Sequence, residues 1–410
     1  MLIGGTNNII SNTMYDIILY GATGFTGKRA VAYFQQHAPE GVHWAIAARN
    51  AQKLEALKTE LNLSVDHLVA DAQDAKAIDD MVQQTKVVLT TAGPFALYGS
   101  HLVGSCAQHG VHYVDITGEA PWVRDMLQKH GEAAAQSGAK IVPFCGFDSI
   151  PADLGVFLLR KYAREEGLGE LTRVDSYYSL AKGGLNGGTL LSLINMLEEG
   201  EAKSLANPKV LLSDVQDTSF LKREKESWKA HYVPTIKKWV YPFFMEAINQ
   251  KVVYRSIGLA PQYDLPQPEQ FVYHEYHALG QKALPAKMAA YGMAAFATLG
   301  QFGPFRTVLK KLGPESGEGP SEKDIEEGFF KVRQIGQTSN GKEVQLTLSY
   351  PGDAGNKATI CFLCESALCL LVDQDKLPNR QGFLTPSLAF GEVLEERLKQ
   401  AGTGMELVTL

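Results

Sequence analysis

A short apolar run, Tyr15–Tyr20 (YDIILY), passes directly into Gly21-Ala22-Thr23-Gly24-Phe25-Thr26-Gly27, and a helix-forming stretch carrying Val31 and Phe34 follows. Few local patterns restrict a fold this strongly. A strand covered on both faces reads as a nearly continuous apolar run. Three glycines spaced G-x-x-G-x-x-G between strand and helix answer a particular demand. Gly21 permits the tight turn, Gly24 lets backbone approach a pyrophosphate, and Gly27 lets the helix pack close to the strand. The helix N-terminus then offers free N–H groups and the positive end of its dipole to phosphates. A glycine-rich connection without a ligand has the same letters, and the strand before it and the helix after it are what separate the two.

The rhythm that starts there continues for about 150 residues. Strands are expected at 43–48, 66–70, 86–91, 112–116 and 139–144. Helices are expected after Ala51, over 75–84, 100–108 and 122–136. Six strands alternating with helices imply a parallel, doubly wound (Rossmann) sheet with right-handed crossovers. Beyond about Asp153 the pattern changes. Alternating apolar and polar residues over 172–180, 271–279, 330–335 and 343–348 suit strands with one exposed face, the last two joined through the turn dipeptide Asn340–Gly341. Helical patterns lie at 188–199, 288–299 and 359–372. The expected fold class is α/β, with a second mixed α/β domain built on a largely antiparallel sheet. The expected divisions are a disordered extension over 1–13, a dinucleotide domain over 14–153 and a substrate domain over 154–410, whose last helix docks back on the first domain.

The second strand bears on which nicotinamide cofactor fits. An NAD site presents a carboxylate at its end, for the ribose 2′-hydroxyl. Here Arg49 stands 22 residues beyond Gly27, with Asn50 beside it and Lys53 further on. A guanidinium without an acidic neighbour suits a 2′-phosphate, so NADP(H) is expected; the alternative for Arg49 is a solvated surface cation. Asp71, closing the third strand, is placed near the adenine side. Ala92-Gly93-Pro94-Phe95, closing the fourth, borders the nicotinamide half or forms a rigid turn. These ends share one edge of the sheet, where ligands of such folds bind.

Composition narrows the partners. Thirty-nine basic and forty-five acidic residues give a formal charge of −6, which argues against nucleic acid, because phosphate neutralisation needs clustered Lys and Arg. Five cysteines without regular spacing suit a reducing, cytoplasmic setting. Cys361, Cys364 and Cys369 fall at helical spacing among apolar residues and read as core thiols; no metal site is indicated. Residues 1–13 lack the basic and apolar regions of a signal peptide. Residues 288–305 contain no charge and approach the length of a membrane span. Diluted by Ala and Gly, they read as a buried or interfacial helix, and with Arg306, Lys310 and Lys311 they make 288–311 a candidate for peripheral membrane contact. Residues 313–327, acidic and rich in Gly and Pro, read as an exposed loop or lid edge. A homo-oligomer is expected.

YGATGFTGKR (20–29), AARN (47–50), TAGPFALYG (91–99), YVDITGE (113–119) and FCGFDSIPADLG (144–155) resemble the saccharopine dehydrogenase-like proteins, and within them the trans-acting enoyl reductases. Gly187-Gly188-Thr189 before a helix and Gly382-Phe383-Leu384-Thr385-Pro386 are similar to family features as well. The resemblance implies an NADP-binding fold followed by a substrate domain, and reduction either of an imine formed from an amino acid or of a C=C bond on a carrier-bound polyketide. It does not extend to the first thirteen residues, and Gly352-Asp353-Ala354-Gly355 departs from the family's usual turn.

A reductase needs its acceptor held near the nicotinamide and an acid to supply the proton. Asp115 and Glu119, four residues apart after the fifth strand, are candidates to bind an amine or order a water; alternatively they cap the helix near Pro121. Asp148, after the sixth strand, is either a third candidate or, with Ser149, an N-cap. Tyr98 is a proton donor by type. The expected function is therefore NADP(H)-dependent reduction of a C=C or C=N bond in a bulky or carrier-bound substrate. The competing expectation is an NADP(H)-binding scaffold or sensor without turnover, with membrane-peripheral attachment as one form of it.

Overall fold

The computed structural model describes residues 15–181, 187–201, 204, 206–222, 229–313 and 318–410; the N-terminal extension and part of the acidic 313–327 stretch lie outside them. The first half alternates as expected: β1 Tyr15–Tyr20, α1 Phe25–His37, β2 Trp44–Ala48, α2 Ala51–Leu61, β3 Asp66–Val69, α3 Ala75–Val82, β4 Thr85–Thr90, α4 Phe95–Tyr98, α5 Ser100–His109, β5 His112–Val114, α6 Ala120–Ser137, β6 Lys140–Val142 and α7 Ser149–Glu165. β1 pairs in parallel with β2 on one side (Ile17 opposite Trp44) and with β4 on the other (Ile17 opposite Val87). The strand order thus reverses at β1, which opens a crevice beside its C-terminal end. Ile17, Ile18, Leu19, Val87 and Val88 are fully buried between helix layers. Local chemistry sets the helix starts: Asn50 accepts from the Lys53 N–H, and Asp74 from those of Lys76 and Ala77.

The second half contains β7 Leu171–Ala181, α8 Gly187–Glu198, β8 His231–Val233, β9 Lys238–Pro242, α9 Glu246–Leu259, β10 Val272–Ala278, α10 Ala283–Leu299, α11 Gly303–Leu312, α12 Glu322–Glu327, β11 Phe329–Thr338, β12 Glu343–Pro351, α13 Thr359–Val372, β13 Gly382–Phe383, α14 Pro386–Phe390, α15 Glu392–Gln400 and β14 Gly404–Thr409. Its sheet runs β14-β12-β11-β7-β10-β9-β8, antiparallel except where β10 lies parallel to β7. Gly341, at φ +72°, turns the β11–β12 hairpin.

The first sheet has seven strands, one more than the sequence pattern suggests. β13 adds to its edge, Gly382 opposite Lys140 and Phe383 opposite Ile141, so the chain returns to the first sheet before β14, its last strand, completes the second. α13 returns too. Its three cysteines are buried, and Glu365 on it accepts from Tyr33 of α1 at 2.7 Å and from Arg397 of α15 at 2.9 Å. By length and composition Ala354–Val372 could cross a membrane, but 78% of that stretch is buried in the protein, which makes it a core helix. The uncharged run 288–305 is divided between α10 and α11.

Candidate cofactor and active site

The glycine turn resolves into three different physical roles. Gly21 has φ +84°, and a Cβ there would stand 2.9 Å from the Ala92 nitrogen. At Gly27 a Cβ would meet the Gly21 carbonyl oxygen at 2.1 Å. Both glycines are required by the protein itself. Gly24 differs: a Cβ there meets only Gly21 O, at 3.4 Å. It is exposed, and the space beside it is open. The first-turn amides of Phe25, Thr26 and Gly27 have no acceptor among the described residues, and no side chain caps α1. Unpaired first-turn donors beside an open glycine are the kind of cradle a pyrophosphate fills. Ala22 and Thr23 complete the turn, Ala22 buried beneath it.

Arg49 and Asn50 follow β2 on the same edge, both exposed. Asn50 is used as the cap of α2. Arg49 makes no hydrogen bond or ion pair with a described residue, leaving its fork free for a phosphate. Asp71 accepts from the Gln73 N–H at 3.0 Å and turns the chain after β3. Over the turn lies the chain around Gly319. Its Cβ position is 2.3 Å from the Phe25 ring, so any side chain there would have to displace that ring. The Phe25 ring carries the Arg29 guanidinium at 3.8 Å, and Arg29 pairs with Glu322. The acidic stretch expected at a lid edge therefore reaches the N-terminus of α1.

On the nicotinamide side, Ala92, Gly93, Pro94 and Phe95 close β4, and the Gly93–Pro94 peptide is cis. Glu119 does not cap α6, although it occupies the N-cap position. Its carboxylate instead accepts from the Phe95 N–H at 2.9 Å and the Ala96 N–H at 2.8 Å, and Ser192 of α8 donates to it at 2.7 Å. Asp115 does not cap α6 either. It accepts from Tyr113 Oη at 2.7 Å, Thr117 N at 2.9 Å and Phe144 N at 3.1 Å, joining the ends of β5 and β6. Burial pushes its carboxyl up to about 7, against the pull of those donors. With exposures of 0% and 1%, Asp115 and Glu119 are engaged in holding the site's backbone. Tyr98 is partly buried on α4 and has no hydrogen bond with a described residue.

Asp148 is the exception among the carboxylates. It precedes α7, yet its side chain makes no capping bond, which removes the N-cap alternative. It has no hydrogen-bond partner among the described residues, is partly accessible, and is pushed up to about 6 by its apolar surroundings. Its neighbour Ser149 donates to Asn249 at 3.0 Å. Asn249 donates in turn to Glu275, on which Tyr178 and Tyr273 also converge at 3.0 and 2.7 Å. That buried chain anchors the start of α7 to the second sheet. Ser192 and Glu275 escape sequence reading, because Ser192 lies 73 residues from Glu119 and Glu275 lies 97 from Tyr178 and 26 from Asn249; only the Gly187-Gly188-Thr189 signature before α8 hints at the first. The Gly382–Pro386 signature also gains a reason: Asp153 of α7 accepts from the Ser387 N–H at 2.8 Å and holds this segment beside β6.

The profile of the saccharopine dehydrogenase NADP-binding domain matches residues 17–142. Over 414 residues the chain is 33% identical to a Mycobacterium tuberculosis protein proposed to be a trans-acting enoyl reductase, covering 97% of this chain and 98% of that one. It is 31% identical over 413 residues to a trans-acting enoyl reductase of Mycobacterium bovis, covering 95% and 97%. The fold is similar to that of apo saccharopine dehydrogenase (L-Glu forming) from Saccharomyces cerevisiae, with TM-score 0.59, 12% identity, and 97% and 100% coverage. An NADP-dependent oxidoreductase is the class this fold and cradle define. The chain belongs to the trans-acting enoyl reductase family, within the saccharopine dehydrogenase-like oxidoreductases.

Proposed function

We propose that this oxidoreductase reduces the C=C bond of a bulky or carrier-bound enoyl substrate with NADPH. The observation that carries the choice of bond is the state of the three carboxylates. An amino-acid imine calls for free carboxylates to receive its amine, and the two placed for that, Asp115 and Glu119, are buried and fully engaged with backbone and hydroxyl donors. A conjugated enoyl group calls for no counter-charge, only an acid positioned for one proton. Asp148, without a partner among the described residues and raised to about 6, suits that need. The names of the relatives support the same choice.

NADPH, when bound, supplies the hydride. The first-turn amides of α1 would hold its pyrophosphate and Arg49 its 2′-phosphate. The loop Ala92–Phe95, fixed by Glu119, shapes the nicotinamide end, and Asp71 borders the adenosine end. Asp148 would give its proton to the carbon alpha to the carbonyl. The saturated product leaves, and the carboxylate takes a proton back from solvent.

The test is NADPH oxidation with two panels of acceptors, enoyl thioesters on acyl carriers and amino-acid imine mixtures. Turnover confined to the enoyl panel is the expected result. Turnover confined to imines overturns the choice of bond, and tight NADPH binding with no turnover in either panel overturns the proposal as a whole.

A further inference from the structure

Residues 280–313 contain no Asp or Glu and five basic side chains, Lys282, Lys287, Arg306, Lys310 and Lys311, in a chain whose net charge is −6. They fold as α10 and α11. α10 buries only Ala286 and Ala290, and α11 buries no residue. Their large apolar side chains point outward: Leu284 is 68% exposed, Met288 65%, Tyr291 76% and Leu312 82%, with Leu299, Phe302 and Val308 also exposed. On α10, positions 284, 288, 291, 295 and 299 form one stripe. Lys282, just before α10, and Lys311, in the last turn of α11, make no ion pair with a described residue, and Lys287 lies 5.6 Å from the Trp239 ring.

We propose that α10 and α11 form a docking surface for an anionic lipid bilayer, lying in its interface with the apolar stripe among the acyl chains and the lysines at the headgroups. Charge selects this occupant. A second copy would bring two basic faces together without an acidic residue on either, whereas an anionic headgroup layer complements both the stripe and its cationic ends. Neither helix spans a bilayer, since α10 has 17 residues and α11 has 10, against about 20 needed.

The surface is joined to the reductase site by α8. Gly313 and Gly300 pack so closely on this helix that a Cβ would fall 2.1 Å from Leu190 and 3.3 Å from Leu197. Glu198 accepts from Lys310 at 2.9 Å, and on the same helix Ser192 binds Glu119 beside the cofactor loop. Docking would set the cleft close to a bilayer. This inference stands apart from which bond is reduced.

Flotation of the full-length protein with phosphatidylcholine vesicles, with and without phosphatidylglycerol, tests it. Wild type is expected to float with the phosphatidylglycerol vesicles and to be released by salt. Met288→Glu/Tyr291→Glu and Lys282→Glu/Lys311→Glu should each weaken partitioning by at least about tenfold, while NADPH binding, measured in parallel, stays at the wild-type value. Wild type remaining in the soluble fraction overturns the proposal, as do folded, NADPH-binding variants that float like wild type. A concentration-dependent dimer abolished by Met288→Glu, with no flotation, overturns it in favour of a second copy.

Discussion

Ser192 donates its hydroxyl to Glu119 Oε1 across 2.7 Å, so a helix of the second half is fastened to the loop that ends β4. The same carboxylate holds two amides of that loop, and the geometry of the nicotinamide side depends on one buried side chain bridging both halves. Glu119→Gln replaces one acceptor oxygen with a donor and leaves an amide unpaired. Losing a charge-assisted bond of this kind costs about 1.5–3 kcal/mol. The variant should melt lower and bind NADPH more weakly, and Ser192→Ala should show a smaller loss of the same kind. Thermal unfolding with NADPH titration checks both; an unchanged NADPH affinity in Glu119→Gln would separate the carboxylate from the cofactor loop.

The glycines of the turn separate by role. Gly27→Ala places a methyl on the Gly21 carbonyl oxygen and should lower stability and NADPH affinity together. Gly24→Ala meets only ordinary contact within the protein, so it should leave the melting temperature unchanged and weaken NADPH alone. Melting curves and equilibrium binding of the two variants distinguish these outcomes.

Arg49→Ala should weaken NADPH by about ten- to a hundredfold, the equivalent of one charge-assisted phosphate contact, and leave NADH nearly unaffected. Arg49→Asp should shift preference to NADH, since a carboxylate repels the phosphate and accepts from the ribose hydroxyls. Titration of both cofactors reads this directly. Equal losses would assign Arg49 to the adenine or to the fold.

As the proposed proton donor Asp148 acts in its protonated form, so with a pKa of about 6 the rate of the chemical step should fall as pH rises through that value. Asp148→Asn should lower kcat by about a hundredfold or more and remove this limb, with NADPH affinity retained. A pH profile that persists in the variant assigns the ionisation elsewhere.

Glu275 is pushed up to about 8 by burial. A folded-state value above the unfolded value of about 4.3 means that the folded state holds the proton more tightly. The resulting stability is fully present below about pH 4 and is lost as pH rises through about 8. Glu275→Gln, which stays neutral, should flatten the fall in melting temperature across that window relative to wild type. Parallel slopes for the two proteins would show that Glu275 titrates normally.

Patterns confined to neighbouring residues determine much of this protein. The apolar run at Tyr15–Tyr20, the three glycines and the caps Asn50 and Asp74 act over a few residues, so the parallel sheet, the phosphate cradle and Arg49 at the second strand's end were legible before any coordinates. The hairpin at Asn340–Gly341 was legible for the same reason. Tertiary structure decided what depends on partners distant in the chain. β13 is two residues long and becomes a strand only because the edge of β6 offers it hydrogen bonds. Asp115, Glu119 and Asp148 look alike as carboxylates at strand ends. Packing commits the first two to backbone amides and leaves the third without a partner among the described residues, because burial and hydrogen-bond supply are properties of the assembled core and not of the local sequence.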